Sequence, residues 1–260
     1  MDDEILYAVD DGIGTITLNR PQARNALTFA MYERVAAICA DPAAYGAPRV
    51  LIITGAGDRA FAAGTDIAQF RSFASPQDAL DYEDKIERVL AAIECCPIPL
   101  VAAIAGAVTG GGASIACACD IRIATASARF GFPIARTLGN CLSMANYARL
   151  AALLGPARVK DIVFTARLIE AEEGQRIGLY SEILADHAAL MSRARELAET
   201  IAGHAPLTMR ATKEALRRIV NASVPAEGGE DLVVMCYDSA DFREGMEAFL
   251  GKRPPQWQGR

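Results

Sequence analysis

The chain has 260 residues, 52% of them hydrophobic and 22% charged, which is enough apolar material for a sizeable core and too much for a disordered chain. Its 26 basic and 32 acidic residues give a formal charge of −6, so no nucleic-acid or anionic-membrane partner is expected from electrostatics. No apolar run reaches the roughly 18 residues of a membrane span, and the opening MDDEILYAVDDG lacks the basic and apolar regions of a signal peptide, so the cytoplasm is the expected location.

In chain order, ILYAVDD and IGTITLN alternate apolar and polar residues and predict two strands around Asp10-Asp11-Gly12. Thr28 suits a helix cap, with the helix running to about Cys39 before Pro42 breaks it. Residues 49–54 read as a buried strand and 55–66 as a long polar loop. Residues 76–94 carry helical spacing, with Leu80, Ile86, Val89, Leu90 and Ile93 on an apolar face, and Pro97 and Pro99 end the helix. A buried strand at 100–105, a glycine turn, a helix at 113–119 and a strand at 120–125 follow. This exchange of short buried strands with helices predicts an α/β core. Beyond Asn140 the pattern is mainly helical, over 142–154, 156–164 and 171–177, with a short strand near 181–184. Helices at 192–201, 207–219 and 230–250 complete it, which divides the chain into an α/β core at 1–190 and a helical region at 191–260.

Seven cysteines, an odd number in apolar surroundings, predict reduced and mostly buried thiols. Cys117-Ala118-Cys119 has no second cysteine pair and only two histidines to complete a zinc set, so no metal is expected.

Two glycine-bearing turns stand out. In the first, Gly55 and Gly57 follow a strand, but the third glycine of a dinucleotide fingerprint would fall at Ala60 and no helix opens there, which excludes a Rossmann site. Gly64 instead allows a tight turn that exposes the Thr65 N–H, with Asp66 capping or shaping the loop. In the second, Gly110-Gly111-Gly112 lie between a buried strand and an apolar helix. Three glycines there need a structural use, and a helix N-terminus presents unsatisfied N–H groups that can stabilise an oxyanion. Close helix packing explains the second turn equally well when it is taken alone.

Asn19 to Leu27, Ala60 to Ile67, Gly110-Gly111-Gly112, Cys119 to Ala124, Ala128 to Pro133, Glu170 to Leu179 and Phe249 to Pro254, in that order, together resemble the enoyl-CoA hydratase/isomerase, or crotonase, family. The resemblance implies a crotonase-like spiral of β-β-α units with a C-terminal helical region, assembled as a homotrimer or a dimer of trimers. It also implies an acyl-CoA substrate, so that coenzyme A arrives with the substrate and no separate cofactor is needed. The backbone N–H groups of Thr65 and Gly111 would form the oxyanion hole. Arg20, Ala23, Arg24 and Ala26, with Ala62, Gly64, Asp66 and Ile67, would line the CoA side, and Phe249 and Lys252 would close it.

The hydratases of this family place one glutamate after the glycine run and another after Phe-Gly-x-Pro. Here those positions hold Ser114 and Ile134. An unassisted serine hydroxyl is a poor base and isoleucine has no acid–base capacity, so conventional hydration is not expected. Asn140 and Tyr147 are candidates for positioning water or donating a hydrogen bond, and Arg136 for binding a carboxylated acyl group. The chain lacks G-x-S-x-G, and His187 and His204 have no visible link to Ser114, which disfavours a serine hydrolase. The leading expectation is a lyase or isomerase acting on an acyl-CoA through enolate stabilisation. Decarboxylation or hydrolysis, and non-catalytic acyl-CoA binding, are the alternatives.

Overall fold

The computed structural model describes residues 4–225 and 228–260. Strands β1 (Ile5–Asp10) and β2 (Ile13–Leu18) pair antiparallel from Ile5 opposite Leu18 to Asp10 opposite Ile13. β2 then runs parallel to β3 (Val50–Gly55), and β5 (Leu100–Ile104), β7 (Ile121–Thr125) and β10 (Glu182–Leu184) extend a six-stranded sheet in the order β1-β2-β3-β5-β7-β10. A second, four-stranded sheet contains β4 (Ala60–Ala62), β6 (Ala107–Thr109), β8 (Arg129–Gly131) and β9 (Ile169–Glu170).

The chain therefore repeats one unit three times. β3 and β4 are followed by α2 (Pro76–Glu94), β5 and β6 by α3 (Gly111–Ala118), and β7 and β8 by α4 (Ile134–Thr137). Each unit gives one strand to each sheet, which makes the fold a β-β-α spiral. Side chains alternate across a strand, and the two central strands use both faces. Leu51, Ile53, Leu100, Ala102 and Ile104 enter the main core with α1 (Phe29–Ala40) and α2. Val50, Ile52, Val101 and Ala103 face the opposite way, toward Leu190, Ala194 and Ala198 of α8 (His187–Ala202).

Some boundaries differ from the sequence reading. The polar loop at 55–66 contains β4, and the glycine turn contains β6; three residues are too few to show a period. α8 begins at His187, where the Asp186 side chain accepts the Ala189 N–H, so the helix runs across residue 190 and packs on the sheet. The helix expected over 230–250 is two, α10 (Glu230–Tyr237) and α11 (Ala240–Leu250), because Ser239 takes the Phe242 N–H and starts a new helix. α5 (Met144–Leu154), α6 (Pro156–Phe164), α7 (Ala171–Arg176) and α9 (Pro206–Asn221) complete the helical part. A third apolar cluster joins Phe70 and Ala79 to Leu138, Val233, Tyr237 and Phe242, so the last helices roof the end of the spiral where the glycine turns emerge. Among the described residues no helix is long and apolar enough to cross a membrane.

Candidate active site

Thr65 pairs with Leu27 in an isolated parallel bridge. Leu27 N–H donates to Gly64 O and Asp66 N–H to Leu27 O, both at 2.8 Å, which leaves the intervening Thr65 N–H outside the ladder. Gly111 is the first residue of α3, so its N–H has no acceptor within the helix. The two turns meet: Gly64 has φ +99° and Gly110 φ +51°, and a Cβ on Gly110 would lie 3.5 Å from the Gly64 Cα. Gly112 is held to glycine by contact, since its Cβ would fall 2.4 Å from Ala62 O. The close packing and the free helix end are thus two consequences of one arrangement.

The Thr65 side chain points to a different set of partners from its N–H. Its Oγ1 bonds the hydroxyls of Tyr32 and Tyr82, each at 2.9 Å. Tyr32 is fully buried, and a Cβ on Gly111 would come within 1.8 Å of its Oη, so this hydroxyl touches both turns. Burial raises the Tyr32 pKa and keeps the phenol neutral. A threonine at position 65 therefore does more than tolerate the turn, because two tyrosines clamp it.

Thr65 and Gly111 line a cavity of about 490 Å³. Ala23, Arg24 and Ala26 border it on one side, and Gly64, Asp66 and Ile67 continue the wall. Phe249 and Leu250 of α11 contribute from the C-terminal region. Ser114, Ile134 and Asn140 also line it, whereas Arg20, Ala62, Tyr147 and Lys252 do not. Arg20 is committed to the loop itself, bonding Ala26 O at 2.7 Å and pairing with Asp66 at 3.0 Å and Glu4 at 3.1 Å. Ala62 is buried under Gly112, Tyr147 packs against the main core, and Arg136 is exposed on α4 outside the cavity lining.

The Ser114 side chain is held through both its proton and its oxygen. Its hydroxyl donates to Gly110 O at 3.3 Å and accepts from Asn146 Nδ2 at 2.9 Å. Asn146 Oδ1 is buried at the same wall and has no hydrogen-bond partner among the described residues, as is true of Asn140 Oδ1, while Asn140 Nδ2 donates to the Tyr237 hydroxyl at 3.0 Å. Among the described residues no group of three His, Cys, Asp or Glu has the arrangement of a metal site.

Comparison with known proteins decides the lineage. The enoyl-CoA hydratase/isomerase family model matches residues 8–260. The chain belongs to the enoyl-CoA hydratase/isomerase family. It is 33% identical to a crotonyl-CoA hydratase of Syntrophomonas wolfei, over 96% of both chains. A solved enoyl-CoA hydratase/carnithine racemase from Magnetospirillum magneticum is 32% identical, with a TM-score of 0.79 over 100% of this chain and 97% of that one. A methylmalonyl-CoA decarboxylase solved with 2-nitronate-propionyl-CoA is 25% identical and superposes with a TM-score of 0.87 over 98% of each chain.

Within this enoyl-CoA hydratase/isomerase framework, the cavity lining holds a buried carboxyl from an unexpected direction. Glu83, on α2, lines the cavity and is only 9% exposed. Its Oε1 accepts from the Tyr237 hydroxyl at 2.5 Å, a contact that spans 154 positions of sequence. Desolvation lifts its pKa from 4.5 to about 7, against the lowering effect of the Tyr237 hydrogen bond and the Ser143 N–H. The sequence held one signal for it. Ala79, Glu83, Ile86, Leu90 and Ile93 form the buried stripe of α2, and Glu83 is the single charged member.

Such a carboxyl affects stability in a definite direction. Its folded pKa lies above its unfolded value, so the native state binds the proton more tightly, and the stabilisation present below about pH 4.5 is lost as pH rises through about 7. Glu83→Gln is therefore expected to be nearly neutral at pH 4.5 and to stabilise the fold by about 2–3 kcal/mol at pH 8. Urea melts at the two pH values measure the difference; a gain that is the same at both would remove burial as the origin of the shift.

Proposed function

We propose that this protein transforms acyl-CoA thioesters by stabilising an enolate between the Thr65 and Gly111 N–H groups, without the two-glutamate hydration apparatus. The observation that carries this reading is the Thr65 N–H, excluded from its bridge and set on the same cavity wall as the first free amide of α3. Two fixed donors aimed at a thioester oxygen act where charge develops, and one such donor is typically worth about 3–4 kcal/mol in the transition state.

The remaining features fit a CoA ester. Arg24 borders the cavity, is exposed, and has no ion-pair partner among the described residues, which suits a phosphate of CoA. Apolar Ile67, Ile134, Leu138 and Leu142 suit an acyl chain. Recognition of a carboxylated acyl group, the role considered for Arg136, gains no support because that residue stands outside the lining. Assembly as a trimer or a dimer of trimers is part of this proposal, and accords with α9, where Leu207, Leu216 and Ile219 stand exposed and no residue is buried.

The test uses two substrates. Butyryl-CoA in heavy water is expected to gain deuterium at its α-carbon, and crotonyl-CoA in heavy-oxygen water is expected to yield no labelled 3-hydroxybutyryl-CoA above the blank. Labelled hydroxy product would restore conventional hydration. Binding of both thioesters without any exchange would overturn the enolate reading in favour of a binding protein.

A further inference from the structure

We propose that Glu83 is the group that moves protons to and from the acyl carbons at this site, standing in for the two absent carboxylates in the isomerisation of β,γ-unsaturated acyl thioesters already known for the family. The inference rests on the thioester reading above and names the acid–base group that it lacks. Nothing in the family pattern points to α2, because the two positions where a carboxylate is expected hold Ser114 and Ile134.

Two carboxylates line the cavity, and their surroundings differ. Asp66 accepts the Ala68 N–H as the cap of the short helical turn Ile67–Ser72 and pairs with Arg20, so both its oxygens are occupied in holding the loop. Glu83 Oε1 is fixed by Tyr237, whose own hydroxyl oxygen receives Asn140 Nδ2, so that Tyr237 is oriented to donate, and the Ser143 N–H also bonds the carboxyl. This chain of bonds holds the carboxyl in a partly apolar lining, with Ile86 one turn along its helix and Leu138 and Leu142 bordering the same cavity. The contacts from Thr65 Oγ1 to Tyr82, the residue next to Glu83, tie the oxyanion turn to the same stretch of α2.

One carboxylate serves an isomerisation and fails a hydration. Hydration needs one group on the water and another on the α-carbon, while Ile134 offers neither and the Ser114 hydroxyl is already engaged on both sides. An allylic shift needs a single base. Glu83 takes a proton from C2, the electron pair moves onto the thioester oxygen at the two N–H donors, and the dienolate takes the same proton back at C4. The C3=C4 double bond becomes C2=C3, no water or redox partner enters, and the carboxylate is regenerated. Apolar walls that exclude water favour return of the proton to carbon.

The groups facing Glu83 set its titration. Burial raises its pKa most, the Tyr237 hydroxyl from α10 and the Ser143 N–H before α5 lower it, and Glu87 and Asp84 on its own helix add to the rise. Tyr82 beside it, Tyr32 from α1, Tyr147 from α5 and the Cys141 thiol also face it, all four held neutral by raised pKa values, while the Cys236 thiol of α10 is lowered to about 7 by its hydrogen bond with Cys141. Arg149, on α5, is bound to Glu87 and Glu94. The carboxylate form is the active base, so the rate should rise with pH to a midpoint near 7. Tyr237→Phe removes a donor that favours that form and should move the midpoint alkaline, a change that loss of packing alone does not produce.

The experiment compares the full-length protein with Glu83→Gln, using butyryl-CoA exchange in heavy water and conversion of vinylacetyl-CoA to crotonyl-CoA. Thermal melts and CoA-ester binding establish that each variant is folded. The expected result is exchange and isomerisation by the unsubstituted protein, both reduced by about 10³-fold or more in Glu83→Gln with binding kept within a few-fold. A folded, binding Glu83→Gln that still exchanges at the original rate overturns the role of Glu83 and leaves the enolate reading intact. No exchange by the unsubstituted protein overturns both. Exchange that depends on Glu83 without conversion of vinylacetyl-CoA supports the proton-transfer role and overturns the substrate assignment.

Discussion

Gly111→Pro in a Tyr32→Phe background is expected to slow α-proton exchange of butyryl-CoA by about 10²–10³-fold relative to Gly111→Ala in the same background. The background matters because any Cβ at position 111 would meet the Tyr32 hydroxyl at 1.8 Å, so a single substitution would test steric collision and lost hydrogen bonding together. Tyr32→Phe removes the oxygen, and the ring carbon at 3.1 Å and Thr65 Oγ1 at 3.2 Å from the same Cβ must then each give by a few tenths of an ångström, equally in both variants. Alanine and proline then share that Cβ and differ mainly in whether an N–H remains. Position 111 is the first of α3, where proline's fixed φ suits a helix and no intrahelical bond is lost, so the fold is expected to tolerate it. Binding of the CoA ester should stay within a few-fold, since the donor acts on charge that appears only in the transition state. Equal exchange rates in the two double variants would remove Gly111 from the oxyanion hole.

The route from sequence to this site was uneven, for reasons that lie in particular residues. β3 and β5 were legible because strands buried on both faces become continuous apolar runs. β4, β6 and β8 were not, since each has three residues and is defined by its neighbours in the second sheet. Gly64 and Gly110 to Gly112 could be singled out because a glycine cluster needs a steric cause, and the structure supplies one in the Ala62 carbonyl and the Tyr32 hydroxyl. The proposed donors are backbone groups, so the N–H that the turn presents does not depend on the threonine side chain at position 65. Glu83 escaped because a helix stripe is read for its apolar members, and one acid among them passes as an imperfection. Its meaning depends on Tyr237 and Asn140, which no local spacing brings near α2. The carboxyl is also held where ionisation costs stability, as expected of groups kept for chemistry.

The same helix carries a second buried charge system, and Arg149→Met should expose its importance. Arg149 is 7% exposed and makes a paired contact with both oxygens of Glu87, while its Nε donates to Glu94 at 2.8 Å. Methionine fills much of the volume and leaves Glu87 and Glu94 without the cation they share. Breaking a buried pair in this way costs about 3–5 kcal/mol, and the lower end is expected because the Glu87 side chain keeps 30% of its exposure. Arg149→Met with Glu87→Gln and Glu94→Gln should recover most of the loss, since neutral groups no longer need the cation. The consequence reaches the cavity. Glu87 lies one helical turn from Glu83 and already raises its pKa, so an unpaired Glu87 should move the midpoint of the rate–pH curve further alkaline, and the triple variant should move it back. Ser143 completes the link, for its hydroxyl donates to Glu87 at 3.4 Å and caps α5 by accepting the Asn146 N–H. Urea unfolding and the pH dependence of exchange measure the two effects separately. A single variant within about 1 kcal/mol of the parent would mean that solvent already screens the pair, and an unmoved midpoint would uncouple this network from Glu83.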